Sequence, residues 1–256
     1  MILYYKKTPV YYDSKGQGSP IVLLHGFLES STMWTHFIPE WKTKCQLITI
    51  DLPGHGKSGV IAEIHTMELM AKVVAAILTE LKIDTAAFIG HSMGGYIGLA
   101  FAELFPNQIS SLLLLNSTTS KDNDTRKDNR DRALKFMKTQ KDMIISMSIS
   151  NLFNEDARQK FASEIEALKK EALQFSAQGI TAAIKGMRDR KDRTSVLKDF
   201  NKKKYIVCGK EDTIIPFSDS VAISENTNTP LKILKGGHMS WIENCEEITN
   251  LTCLLG

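Results

Sequence analysis

A serine set between two glycines, Gly90-His91-Ser92-Met93-Gly94, is the stretch of this chain best suited to covalent chemistry. A serine hydroxyl is a poor nucleophile at neutral pH. It needs a base within hydrogen-bond reach and a third group that orients the base. The apolar run Ala86-Ala87-Phe88-Ile89 precedes the pentapeptide, and Gly95-Tyr96-Ile97-Gly98-Leu99-Ala100-Phe101 follows it with the character of a helix. Strand, tight turn and helix hold a serine at a crest, with the helix N-terminus aimed at the reacting atoms. The glycines stand where a Cβ would strike neighbouring backbone.

His238 is the best candidate base. It lies in the glycine-bounded loop Gly236-Gly237-His238-Met239, after the strand-like Leu231-Lys232-Ile233-Leu234. His91 adjoins Ser92, but a neighbouring side chain at a sharp turn points elsewhere. His25 and His55 end other strands and shape loops, while His36 and His65 read as surface or helix-start residues. Asp212 is the best orienting acid, just after the run Tyr205-Ile206-Val207-Cys208-Gly209, with Glu211 as its local competitor. Asn116 also ends a strand, but an amide carries no charge to stabilise an imidazolium. An oxyanion calls for donors fixed before charge develops. The Met93 N–H supplies one, and the turn His25-Gly26-Phe27 supplies the other from Phe27.

Several elements must position these groups. Ile21-Val22-Leu23-Leu24, Leu47-Ile48-Thr49-Ile50 and Leu112-Leu113-Leu114-Leu115 are continuous apolar runs of strand length, which implies burial on both faces of a parallel sheet. Two β-like stretches near residues 2–5 and 9–12 predict an edge hairpin, followed by a turn over residues 13–18. Trp34, Phe37, Ile38 and Trp41 fall on one face of a predicted helix after Ser30 or Ser31. Thr66 caps a second, with a stripe of Met67, Met70, Val73, Val74, Ile77 and Leu81. Helices are also expected near residues 218–225 and 241–254. Gly56-Lys57-Ser58 is no phosphate loop, because Asp51 stands where that motif needs glycine.

Residues 118–200 break this pattern. They contain no strand signal and read as a helical insertion. Phe161, Ile165, Leu168, Ala172 and Phe175 repeat as one helical face, with Glu166 and Lys170 paired on the wet side. Residues 118–204 hold 21 Lys and Arg against 13 Asp and Glu, while the whole chain carries a net +3. The interspersed acids and sparse aromatics argue against nucleic acid as a partner. No apolar run reaches the ~20 residues of a membrane span. The start lacks the pattern of a signal peptide, and Cys45, Cys208, Cys245 and Cys253 show no metal or redox spacing. A cytoplasmic protein with reduced thiols is expected.

The motifs in this order resemble the α/β-hydrolase superfamily, in its serine-nucleophile, esterase-like branch: His25-Gly26, the loop Asp51-Leu52-Pro53-Gly54-His55-Gly56-Lys57-Ser58, the Gly90–Gly94 turn, Asp212 and Gly237-His238. The resemblance implies a mostly parallel eight-stranded sheet flanked by helices. The core domain would be residues 1–117 and 201–256, with residues 118–200 as a helical cap. It implies Ser92 as nucleophile, His238 as base and acid, Asp212 as orienter, and Phe27 and Met93 as the oxyanion hole. It requires no cofactor and no metal. A serine nucleophile argues against the dehalogenase and epoxide-hydrolase branches.

The expected substrate is a small-molecule ester or acyl compound, cleaved through an acyl-enzyme. The alternatives use the same triad for thioester or C–C bond hydrolysis, a lyase reaction of the menaquinone-pathway type, or perhydrolysis. A further alternative is a ligand receptor without turnover. His25, Gly26, Met143, Met147 and Trp241 are expected substrate contacts, with Phe27, Met93 and residues 143–153 as pocket walls. That stretch could equally serve only to pack the insertion onto the body. Arg126, Arg130 and Arg132 are candidate carboxylate ligands, or else a solvated helix face.

Overall fold

The protein is described from a computed structural model. Residues 1–254 are described, the side chains through residue 252, so the side chain of Cys253 lies outside them. Eight strands form one sheet in the order β1-β2-β4-β3-β5-β6-β7-β8. They are β1 (Ile2–Tyr5), β2 (Thr8–Lys15), β3 (Ser19–Leu24), β4 (Cys45–Ile50), β5 (Ala86–His91), β6 (Ile109–Leu115), β7 (Lys203–Gly209) and β8 (Leu231–Leu234). β1 and β2 are antiparallel at the edge, β2 is antiparallel to β4, and every later pairing is parallel. The turn expected over residues 13–18 starts later than predicted. Asp13, Ser14 and Lys15 continue β2 and pair with Thr49, Ile48 and Leu47, because the neighbouring strand supplies partners for their backbone.

The parallel strands are buried on both sides, as their unbroken apolar runs require. Side chains alternate between two cores. Val22, Leu24, Phe88, Leu112 and Leu114 face one of them. Helices α2 (Met67–Glu80) and α3 (Met93–Leu104) cover that face. Ile21, Leu23, Ile89, Leu113 and Leu115 face the other, under Trp34, Phe37 and Trp41. Those aromatics do not share one helix as expected. A 3-10 turn at Ser31–Trp34 stops, and Pro39 opens a separate short helix, α1 (Ile38–Trp41). Proline has no N–H to continue the first turn, but it suits a helix start. Thr66 caps α2 by accepting from Leu69 N at 3.1 Å.

Six helices run between β6 and β7: α4 (Asp124–Phe136), α5 (Lys141–Ser150), α6 (Glu155–Lys160), α7 (Ala162–Ala172), α8 (Ala177–Arg188) and α9 (Thr194–Asp199). Ile145, Ile149, Phe153, Ile165, Phe175 and Ile184 make a third core there, which also takes Leu28 and Met239 from the sheet side. The wet-side pair on α7 is Glu166 with Lys169 at 2.8 Å, not Lys170.

After β7 come α10 (Phe217–Thr227), β8, α11 (Ser240–Glu243) and α12 (Cys245–Thr249). The expected continuous helix over 241–254 breaks at Asn244, whose backbone leaves helical geometry and whose Oδ1 accepts from Gly236 N at 2.9 Å. Among the described residues no helix is long and apolar enough to cross a membrane.

Candidate active site

Ser92 sits between β5 and α3 at φ 49°, ψ −113°, a conformation that costs about 1–3 kcal/mol for a non-glycine residue. The surroundings hold it there. Ser92 N donates to Leu115 O at 2.9 Å, and Ser117 Oγ donates to Ser92 O at 2.8 Å. A Cβ on Gly90 would lie 2.5 Å from Gly94 C, and one on Gly94 would lie 2.3 Å from Leu24 O. The turn is therefore closed to any larger residue at either glycine.

His238 Nε2 stands 3.0 Å from Ser92 Oγ. Its Nδ1 lies 2.9 and 3.0 Å from the two oxygens of Asp212. A carboxylate is acceptor-only, so Nδ1 carries the proton and Nε2 faces the serine as an acceptor. Asp212 is itself fixed: Oδ1 accepts from Ile214 N and Ile215 N at 2.8 Å each. Burial raises its pKa, but electrostatic attraction to the His238 ring and the bond from it, the Ile215 N–H and the Asn116 amide outweigh that and hold it below the usual aspartate value. Glu211, the competing acid, turns away and accepts from Asn154 Nδ2 at 2.6 Å.

Two supports were not foreseen. Asn116, at φ 44° after β6, donates through Nδ2 to Asp212 Oδ2 at 3.1 Å and to Gly237 O at 3.0 Å. One amide thus ties the acid to the loop that carries the imidazole. An amide's lack of charge argues against Asn116 as the orienting group, yet donors are what a buried carboxylate needs.

The second support is a buried pair. Glu29, only 2% exposed, accepts from Gly26 N at 2.6 Å and lies 3.0 Å from His91 Nδ1. The other nitrogen of His91 is 3.0 Å from His238 O. A carboxylate and a carbonyl both accept, so both ring nitrogens donate and His91 is an imidazolium. The pKa shifts agree. Burial pushes each group toward neutrality, but mutual attraction prevails, lowering Glu29 and raising His91. The pair joins three loops: the turn after β3, the serine turn and the His238 loop. No spacing in the sequence signals it. A glutamate in a short loop beside Phe27 and Leu28 is the one hint.

His25 and His65 each accept from a backbone N–H. His25 Nε2 accepts from Leu52 N at 2.9 Å. His65 stands at the start of α2, just before the capping Thr66, but it is buried rather than on the surface, and burial lowers its pKa to about 4. Among the described residues no group of His, Cys, Asp or Glu converges as a metal site.

Ser92 and His238 open on a cavity of about 400 Å³, a size suited to small organic ligands. Its walls come from Phe27, Leu28 and Tyr96 on the sheet side and from α4, α5 and α8 opposite. Several expected contacts fall elsewhere. Met143 and Met147 are 54% and 50% exposed, because the inner face of α5 carries Ile144, Ile145 and Ser148. His25, Gly26 and Met93 are buried and are not among the residues that line the cavity. Trp241 packs between two cores, with Nε1 3.4 Å from Glu29 Oε1. Arg126 and Arg130 do line the cavity, whereas Arg132 turns out to Asn129 and the Asp128 carbonyl. Phe27 N and Met93 N have no hydrogen-bond acceptor among the described residues. Gly26 O, in the same peptide unit as Phe27 N, is pinned at 2.7 Å to His25 Nδ1, which fixes the direction of that N–H.

Known proteins place this geometry in a family. The chain is 29% identical over 235 residues to the dihydrolipoyllysine-residue acetyltransferase component of the acetoin cleaving system of Pseudomonas putida, matching 90% of this chain and 61% of that longer protein. It is 34% identical over 116 residues to the 2-hydroxy-6-oxononadienedioate/2-hydroxy-6-oxononatrienedioate hydrolase of Burkholderia vietnamiensis, which is 43% of this chain and 40% of that one. A thermophilic esterase from Thermogutta terrifontis, solved with malate bound, superposes with a TM-score of 0.90 at 27% identity, covering 96% of this chain and 92% of that chain. The family model for the α/β-hydrolase fold matches residues 19–244. With that match across most of its length, and with an eight-stranded, mostly parallel sheet beneath the serine turn, the chain belongs to the α/β-hydrolase family.

Proposed function

We propose that this protein is a hydrolase that cleaves carboxylic esters by way of a serine acyl-enzyme. The main support is the hydrogen-bonded line from Asp212 through His238 to Ser92, opening on a largely apolar cavity. Ser92 Oγ attacks the ester carbonyl carbon while His238 Nε2 accepts its proton. Asp212 keeps the imidazole oriented and offsets its charge. The oxyanion accepts from Phe27 N and Met93 N. The ester C–O bond then breaks, and the alcohol leaves with the proton from His238. Water attacks the acyl-serine, again losing a proton to His238, and the acid departs from a restored Ser92.

The helices at 124–199 act as a cap that walls the acyl or alcohol group from water. The resemblance to the Thermogutta terrifontis esterase over almost all of both chains favours esters. The Burkholderia vietnamiensis relative favours a second reading, C–C bond hydrolysis by the same groups. The free thiols of Cys45, Cys208 and Cys245 favour a reducing compartment.

A chain-length series of aryl esters, assayed with the wild type and Ser92→Ala, tests this. Ester turnover that disappears in Ser92→Ala is expected. Full activity in Ser92→Ala, or no cleavage of any ester, overturns the ester reading. Product analysis separates it from C–C cleavage, which releases no alcohol.

A further inference from the structure

The cavity is mostly apolar, but its charges do not balance. Among the described residues Glu29 is the one carboxylate on its wall, and it pairs with His91 at 3.0 Å. Arg126 and Arg130 are both on the wall, one helical turn apart on α4. Like charges at that spacing repel. Asp122 does not offset both. Its buried carboxylate is shared by Arg130 Nε at 2.7 Å and Arg190 Nη1 at 2.6 Å. Arg190 is fully engaged, since it also donates to Ser120 O and Met187 O and stacks on Tyr96. Arg126 meets only a neutral acceptor, the carbonyl of Ile214.

α4 is unusual in another way. None of its residues is buried, and the face carrying Arg126, Asn129, Arg130 and Ala133 looks into the cavity. Asn129 Oδ1 is occupied by Arg132, which leaves the Asn129 amide N–H groups for a ligand between the two guanidiniums.

We propose that Arg126, Asn129 and Arg130 form a binding site for a carboxylate carried by the substrate. The preferred ester then joins an apolar chain to an anionic end, with the chain against Ile144, Ile145 and Ile184. This rests on the ester-hydrolase reading and names its substrate class. Guanidinium forks suit a planar carboxylate, and charge-assisted bonds in an apolar setting are the strong ones.

The test follows acid release from matched methyl esters at low ionic strength: monomethyl adipate and suberate against methyl hexanoate and octanoate. A second arm sets 6-acetoxyhexanoate against hexyl acetate and reads an anion on the alcohol side. At least one anionic series should exceed its neutral partner in kcat/KM by about tenfold. That ratio should collapse in Arg126→Gln and persist in Lys135→Gln, which changes an exposed lysine of the same helix outside the cavity wall. Arg130→Gln is compared only after its circular dichroism matches the wild type, because it loosens buried Asp122. Neutral esters equal or better in both arms, or a ratio that survives Arg126→Gln, overturns the anion site while leaving ester hydrolysis standing. If no ester is cleaved, the ester reading fails, and adipate binding to the wild type by calorimetry decides the site alone. Binding lost in Arg126→Gln supports it, and no binding overturns it.

Discussion

The sheet and the helical segment between β6 and β7 meet at one cavity, but they contribute to it in different ways. On the sheet side the polar side chains around Ser92 are held by hydrogen bonds. Asp212 accepts from two backbone N–H groups, Asn116 and His238, and His91 bonds through both nitrogens. Backbone strain at Ser92 is held by close contacts at Gly90 and Gly94. On the segment side the wall is mostly apolar side chains, with Arg126, Asn129 and Arg130, on helices that pack against the sheet side and bond to it through side chains at several points. Thr32 bonds Glu171, Thr213 bonds Asn151, and Arg193 bonds Glu68 and Glu103. The sheet supplies groups whose placement must not vary, and the segment supplies a surface that can change without disturbing them. Substitutions on the two sides should therefore differ in kind.

The largest effects belong to the sheet side and should be uniform across esters. Asp212→Asn keeps shape but puts an amide where Oδ1 and Oδ2 both accept. One orientation sets NH2 against Ile214 N and Ile215 N, and the other sets it against Asn116 Nδ2. Activity should fall by about four orders of magnitude for every ester, with little change in KM. A selective loss would mean that Asp212 touches substrate. Gly94→Ala should act on the fold first. Its Cβ would lie 2.3 Å from Leu24 O, which is backbone and cannot swing away. Chemical denaturation should show a loss of about 3 kcal/mol.

This division also decided what the sequence could reveal. Ser92, His238 and Asp212 are legible because each follows the C-terminal end of a strand, where such sheets place ligands, and the runs that make those strands are unbroken. Asn116 follows the same rule, but its lack of charge argues against it as the orienting group. The Glu29–His91 pair spans 62 positions and rests on burial, which no local pattern encodes. In the segment, periodicity itself misleads. α5 intersperses serines with apolar residues and shows no single apolar face, so Met143 and Met147 look as suited to the cavity as Ile144 and Ile145. Only the docking of α5 against α7 decides which face turns inward.

Glu29→Gln tests whether the locked side depends on that pair. Glu29 is held below its ordinary value, so its contribution is complete above that value and fades as pH falls through the lower, folded one. His91 is held above its ordinary value, so its contribution is complete below that value and fades as pH rises through the higher, folded one. Stabilisation by the pair is therefore greatest between the ordinary values of 4.5 and 6.5. In that window Glu29→Gln should lose about 2 kcal/mol, a Tm drop of about 4–8 °C. The gap to wild type should narrow on either side. A gap constant with pH would mean that Glu29 acts through packing alone. Because Gly26 N loses a charged acceptor, kcat should fall more than KM rises.

The smallest effect should come from the segment, and it should be selective. α8 turns Ile180, Ile184 and Met187 to the cavity and Gly179, Ala182 and Gly186 to the sheet side. The backbones nearly touch there. His65 N donates to Ala182 O at 3.0 Å, and a Cβ on Gly179 would lie 2.5 Å from Gly54 O. Gly54 is held by its N–H, which donates to Gly59 O at 2.9 Å, so Gly179→Ala must push α8 outward and shift one wall of the cavity. Ser92, His238 and Asp212 share no contact with that seam. Turnover of an acetyl ester should then change by less than about twofold, while kcat/KM for the longest acyl ester cleaved should change by about tenfold. Equal losses at every chain length would show that α8 braces the serine turn as well, and the contrast between a fixed side and an adjustable side would fail at this helix.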